Sequence, residues 1–239
     1  EETVFAVACL MGFEANLVFT GAMRSPSLAG ADGMSNLIDA VRVAAANRGF
    51  GPVVVFDGAI LAAPWVCKVD SEQRSAFHGG RFGEVGRVSE GIVLHHGATI
   101  GQGFAPVPVR SETLPQVALA TAALGEDLDW ISSLPNHGYK GLVVAGAGGG
   151  HVSPTAAGHI EACASTMPVV FASRIPLSRT LVQSYGYPGG EIDLRARGAI
   201  GSGLLGPYKA RMLLALCLAV GETQEQIRQR FAQFSGGGV

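Results

Sequence analysis

The chain has 239 residues, enough for one large or two ordinary domains, and 48% of them are apolar, ample for a buried core. Its 17 basic and 19 acidic residues nearly cancel and give no field that would draw nucleic acid or an anionic membrane surface, so neither partner is expected. Charged residues make up only 15%, and 34 glycines point to tight turns and closely packed layers, the composition of an α/β protein.

The first residues, Glu1-Glu2-Thr3-Val4-Phe5, read as a helix that begins with no initiator Met, no basic leader and no preceding strand, as if in the middle of a protein. Leu17-Val18-Phe19-Thr20 reads as a buried strand running into a Gly21-Ala22 turn. Asp32 is placed to cap a helix over 33–46, with Leu37, Ala40, Val41 and Ala44 as its apolar face. Val53-Val54-Val55-Phe56 is the next strand, ending at Asp57-Gly58 and completing one βαβ unit.

From His95 to Pro115 the apolar periodicity fades while Gly97, Gly101, Gly103, Pro106 and Pro108 accumulate, as in a linker between domains. The spacing therefore predicts two domains, 1–105 and 106–239. The second carries strands over 116–122, 141–146 and 168–173, a helix over 154–164, a helix opened by Pro207 that runs to about 220, and a last helix whose Thr223 and Gln226 form a capping box. The longest apolar run, 212–220, falls short of the roughly 18–20 residues that span a bilayer and reads as a buried helix. The expected fold class is thus α/β, a larger parallel-sheet domain present in part, followed by a smaller, complete α/β domain with its own parallel sheet.

Cys9, Cys67, Cys163 and Cys217 lie scattered in apolar segments without CxxC spacing, which favours reduced, buried thiols and leans toward a reducing compartment; with the start of the chain in question, export stays open. His95-His96 and the His159/Cys163 pair lack a third ligand, so no metal and no other cofactor is expected. Gly201-Ser202-Gly203-Leu204-Leu205-Gly206 matches the spacing of a dinucleotide loop, but the charged segment 193–199 before it is no buried strand and no strand follows it. Gly146-Ala147-Gly148-Gly149-Gly150 follows a good strand, but His151 occupies the sixth position and breaks that spacing.

Four motifs in order, Gly21-Ala22-Met23-Arg24, Ala31-Asp32-Gly33-Met34-Ser35-Asn36-Leu37, Asn47-Arg48-Gly49 and Lys209-Ala210-Arg211 opening an apolar helix, resemble the bacterial-type L-asparaginases from residue 1 to about 234. The resemblance implies hydrolysis of the side-chain amide of L-asparagine, with L-glutamine as the other candidate, by a Thr-Lys-Asp mechanism without a metal, in a homodimer or homotetramer. In that family Glu-Glu-Thr directly follows a Thr-Asp-Thr segment, so the chain would start just downstream of its own nucleophile.

By the same resemblance, Lys68 in Pro64-Trp65-Val66-Cys67-Lys68-Val69-Asp70 falls on the lysine that activates a threonine hydroxyl, although Cys67 and Val69 stand where the family usually has Thr. An ammonium desolvated beside a carboxylate can lose its proton and serve as that base. The main chain at Ala22 would touch the substrate amide. Asp32 and Asn36 read as structural, capping the helix and pinning the loop before it. Glu191 would meet the substrate ammonium from a neighbouring subunit, with His151 at a polar position facing the same site. Two other readings compete: a non-catalytic remnant or interaction module of this fold, and a generic sugar- or nucleotide-binding α/β module.

Overall fold

A computed structural model describes residues 1–46, 48–97 and 104–236. Asn47 of the third motif, Gly101 and Gly103 of the expected linker, and Gly237-Gly238 of the tail lie outside the described residues. The chain divides into two units, Glu1–Pro106 and Val107–Val239.

In the first unit α1 (Glu2–Met11) buries Val4, Phe5, Ala8 and Cys9. Phe13 extends this packing, 6.4 Å from Phe5 and edge-on to Phe104 at 5.0 Å between ring centroids. The expected βαβ unit follows: β1 (Val18–Phe19), α2 (Gly33–Ala46) and β2 (Val53–Phe56), with β1 and β2 parallel and Val18 opposite Val53.

The sheet around this unit is mixed, not purely parallel. β3 (Ala59–Ala62) runs back antiparallel to β2; β4 (Cys67–Lys68) and β5 (Phe77–His78) pair separately; β6 (Gly86–Ser89) and β7 (Ile92–His95) then extend the main sheet, whose order is β1-β2-β3-β6-β7. Two tight turns reverse the chain, Asp57-Gly58 (φ 48° and 78°) and Glu90-Gly91 (φ 50° and 78°), each a two-residue loop between paired strands. Positive φ at both central residues matches the right-handed twist of the flanking strands, so Asp57-Gly58 begins a hairpin as well as ending a strand.

On α2 the buried side chains are Asn36, Ala40 and Val43, of which Ala40 and Val43 join Val53, Val55, Ile60 and Val93 in the core. The expected face is corrected by about one residue of rotation: Leu37 is 52% exposed and Val41 60%. The reason is polar, because Asn36 must face inward to tie the helix to two loops, as shown below.

The second unit holds β8 (Val117–Thr121), β9 (Gly141–Gly146), β10 (Val169–Ser173) and β11 (Ile200–Gly201) in one parallel sheet of order β11-β10-β9-β8. Side chains alternate across it. Ala118, Ala120, Leu142, Val144, Val169 and Phe171 pack with Ile131 and Leu134 of a 3₁₀ stretch (Asp129–His137) and with Ala157 and Ile160 of α3 (Pro154–Ala164). A six-residue α4 (Glu191–Ala196) adds Leu194 to this layer. Gly141 faces the other way, and a Cβ there would meet Leu214 and Leu218 of α5 (Pro207–Ala219) at 3.0 and 3.1 Å.

α5 takes Pro207 in its first turn, and α6 (Gln224–Ala232) starts with the expected box: Thr223 accepts from the Gln226 amide while the Gln226 side chain accepts from the Thr223 amide. Among the described residues no helix is long and apolar enough to cross a membrane. Cys9, Cys163 and Cys217 are buried thiols and Cys67 is half-buried.

Candidate active site

In the first unit the carboxyl ends of the parallel pair β1 and β2 are knit together by side chains, the place where open α/β sheets carry their sites. The Thr20 hydroxyl donates to the Val55 carbonyl at 2.7 Å. Asn36 spans the two loops, its amide nitrogen donating to the Gly21 carbonyl (3.0 Å) and its oxygen accepting from the Asp57 amide (3.0 Å). Asp32 accepts from the amides of Met23 and Arg24 (3.0 and 2.9 Å) and from Asn36 (3.1 Å).

The Asp32 carboxylate is therefore spent on the 23–24 turn, while its carbonyl accepts the Asn36 amide at the start of α2. Its pKa lies below the usual carboxylate value, first because the Met23 amide donates to it; burial opposes, and Arg24 and Asn36 add to the lowering. A charge-assisted bond to two consecutive amides fixes a turn more firmly than a neutral one. Ala22 sits on that turn, exposed, and among the described hydrogen bonds neither its N–H nor its carbonyl has a partner. The backbone expected to meet a substrate amide is thus presented outward on a pinned loop.

Lys68 is reached from the same place through aromatic rings. A Cβ on Gly21 would touch Phe56 at 3.6 Å, Phe56 lies 4.9 Å from Phe77, and the Lys68 Nζ stands 5.8 Å from the Phe77 centroid. Neither ring was singled out in the sequence; Phe77 is found only once β4 is paired with β5, Lys68 opposite Phe77. Lys68 is exposed, and among the described residues no carboxylate forms an ion pair with it. Asp70 instead closes a local turn, accepting from the Gln73 and Glu72 amides at 2.8 and 2.7 Å, which hold its pKa low. Lys68 is thus not desolvated, and its charge is a further, smaller cause of the low Asp70 pKa. The Lys68 amide does have a distant partner, donating at 3.1 Å to Oε2 of Glu1. Cys67, where the family pattern expects Thr, donates its thiol to the His78 carbonyl at 3.6 Å.

In the second unit the glycine-rich turn follows β9. The amide and carbonyl of Ala147 bond those of His151 (2.8 Å each), Gly150 has φ 103°, and the Ser173 hydroxyl at the end of β10 donates to the Gly148 carbonyl at 2.6 Å. His151 and Glu191, forty positions apart, come together: the ring Nε2 is 2.9 Å from Oε2 of Glu191. Glu191 is 0% exposed, and its Oε1 accepts from the amides of Ser184 (2.6 Å) and Tyr185 (2.8 Å). Burial pushes its pKa up, but those amides and His151 outweigh burial and the net shift is downward.

Glu191 was expected to face a ligand ammonium; it lies inside the protein, with both oxygens engaged by its own chain. On the other side of His151, Nδ1 lies 2.7 Å from the Tyr187 hydroxyl. Tyr187 was visible in the Tyr185-Gly186-Tyr187 run but carried no expectation, because nothing in the spacing shows that it meets a histidine thirty-six positions earlier. Among the described residues no three His, Cys, Asp or Glu side chains gather as metal ligands.

Two family models match this chain in sequence order: "Asparaginase, N-terminal" over residues 1–99 and "Glutaminase/Asparaginase C-terminal domain" over 116–231. A probable L-asparaginase of Deinococcus radiodurans is 34% identical over 98% of this chain and 72% of its own length. A probable periplasmic L-asparaginase of Haemophilus influenzae is 31% identical over 98% of the chain and 67% of its own length. The crystal structure of a probable cytoplasmic L-asparaginase from Campylobacter jejuni superposes with a TM-score of 0.83 at 26% identity, covering 97% of this chain and 77% of that one.

Proposed function

The chain belongs to the asparaginase family, and from that premise we propose that it is an amidohydrolase converting L-asparagine to L-aspartate and ammonia, with L-glutamine as the alternative substrate. Lys68 in this reading is the base that takes the proton of a threonine hydroxyl. The hydroxyl attacks the side-chain carbonyl, ammonia leaves, and water releases aspartate from the acyl-threonine. Backbone donors, the Ala22 turn among them, hold the substrate amide while charge develops on its oxygen.

The observation that carries this reading is the bond from the Lys68 amide to the Glu1 carboxylate, 3.1 Å across 67 positions. It puts the start of α1 beside Lys68. A threonine and an aspartate on a segment immediately ahead of Glu1, as the family pattern has them, would then arrive at the lysine they need. Assembly into a homo-oligomer is part of the proposal, and the exposed stripe of Met34, Leu37, Ile38 and Val41 on α2 supports it.

The test is ammonia release from L-asparagine and L-glutamine by the 239-residue chain and by the chain extended ahead of Glu1 with a segment carrying Thr-Asp-Thr. Turnover only in the extended form, lost again in Lys68→Met, supports the mechanism. Turnover by the 239-residue chain that survives Lys68→Met would overturn it.

A further inference from the structure

We propose that Glu191, His151 and Tyr187 form a proton relay that makes the Tyr187 phenolic oxygen an acyl acceptor toward small activated esters. This inference stands on residues 107–239 alone and does not rest on the amidase reading above.

The direction of the relay follows from its buried end. Glu191 sits at the first position of α4, 0% exposed, with the Ser184 and Tyr185 amides on one oxygen and His151 on the other. A carboxylate held ionised by two amides only accepts, so the His151 Nε2 must carry its hydrogen. In the neutral imidazole Nδ1 then has a free lone pair, and the Tyr187 hydroxyl at 2.7 Å has to be the donor. The phenolic proton points at His151, which leaves the oxygen's lone pairs free to meet a ligand, on a side chain that is 48% exposed.

The ring is held as well as bonded. Tyr185 and Tyr187 meet it edge-on at 5.3 and 5.6 Å between centroids, with interplanar angles of 74° and 87°. The turn beneath it is tied by the paired bonds between Ala147 and His151. A nucleophile within hydrogen-bond reach of a base that is itself oriented by a carboxylate is the arrangement that activates hydroxyl nucleophiles, and here a phenol takes the place of an alcohol. Glu191 is a positioning residue, since it acts on Tyr187 only through His151.

The step balances without a further reagent. The Tyr187 oxygen forms a bond to the acyl carbon as its proton passes to His151 Nδ1; the ester C–O bond breaks and the aryloxide departs. The imidazolium, stabilised by Glu191, returns its proton to solvent. Water deprotonated by His151 then cleaves the acyl-tyrosine and restores the phenol.

The experiment treats the full chain with p-nitrophenyl acetate, follows nitrophenolate release, and locates acetyl groups by peptide mass spectrometry. Tyr187 should be acetylated roughly a hundredfold faster than Tyr208, which is 55% exposed and serves as the unassisted phenol. Tyr187→Phe should remove the initial burst, and His151→Gln should bring any acetylation of Tyr187 down to the Tyr208 rate. Equal rates at Tyr187 and Tyr208, or an undiminished rate in a folded His151→Gln variant, would overturn the proposal.

Should His151→Gln fail to fold, the pH profile of the unaltered chain decides. Base-assisted acylation rises as an imidazole loses its proton, whereas an unassisted phenol gains rate only as the phenol itself ionises. The groups facing His151 in that profile are Glu191, Tyr185 and Tyr187, with Arg195 interacting with Glu191 from the same short helix. A phenol-type profile at Tyr187 would overturn the relay.

Discussion

The Glu1 carboxylate accepts the backbone N–H of Lys68 at 3.1 Å, joining the first residue of the chain to a short strand 67 positions later. A single exposed hydrogen bond of this kind contributes little to stability. Its value is positional, because it locates the residues around Glu1 against the lysine.

The 239-residue chain alone is expected to show no ammonia release from L-asparagine above background. In the proposed mechanism the threonine that Lys68 activates stands on a segment ahead of Glu1, and an enzyme tested without its nucleophile loses many orders of magnitude of rate. Joining a Thr-Asp-Thr segment ahead of Glu1 should restore turnover, read as ammonia formed per active chain. Restoration without threonine in that segment would place the nucleophile elsewhere.

In the restored enzyme Lys68→Ala should depress kcat by far more than it raises KM. Proton transfer is strongest in the transition state, so its loss falls on the chemical step. Steady-state kinetics on L-asparagine make the comparison. A change confined to KM would make Lys68 a binding residue.

Two glycines should respond to the same substitution with opposite signs. Gly150 has φ 103°, and a Cβ there would approach Phe171 to 2.8 Å and Thr180 to 3.3 Å, so Gly150→Ala should destabilise the second unit by about 1–3 kcal/mol and disturb the turn that carries His151. Gly158 lies on the exposed face of α3 with nothing within 4 Å of a Cβ, so Gly158→Ala should stabilise by about 0.5–1 kcal/mol. Denaturant midpoints of the two variants, compared with the parent, check both.

Elements defined by uninterrupted apolar runs or by caps were legible in the sequence: β2, β9, the start of α5 and the Thr223/Gln226 box are set by residues within a few positions of one another. β3, β6 and β7 were not read, because Asp57-Gly58 marks a strand end and a hairpin equally well until a return strand such as Ala59–Ala62 is paired with it. The face of α2 was misjudged for a different reason. Hydrophobicity favours Leu37 and Val41, but Asn36 makes three hydrogen bonds inside the unit, and those bonds set which face turns inward. Site residues that act through partners were the hardest to see: Glu191 stood out as a ligand-type carboxylate, yet its contacts with His151 and the Ser184 and Tyr185 amides exist only after the loop has folded back.

The Asp32 carboxylate offers a pH test of the loop that presents Ala22. Its pKa is lowered from 3.8 in the folded protein, chiefly by the Met23 amide and further by Arg24 and Asn36, against the opposing effect of burial. The folded state therefore holds the proton less tightly than the unfolded chain. The stabilisation is complete above the unfolded value of 3.8 and disappears as pH falls through the lower folded value. Asp32→Ala strands the Met23 and Arg24 amides on a part-buried turn and should cost about 1–3 kcal/mol at neutral pH. The gap between parent and variant should stay constant from pH 7 to about pH 5 and narrow below about pH 4, as read from denaturant midpoints in buffers across that range. A gap that persisted unchanged in acid would mean that the ionised carboxylate is not what holds the turn, and the loss would then belong to packing around α2.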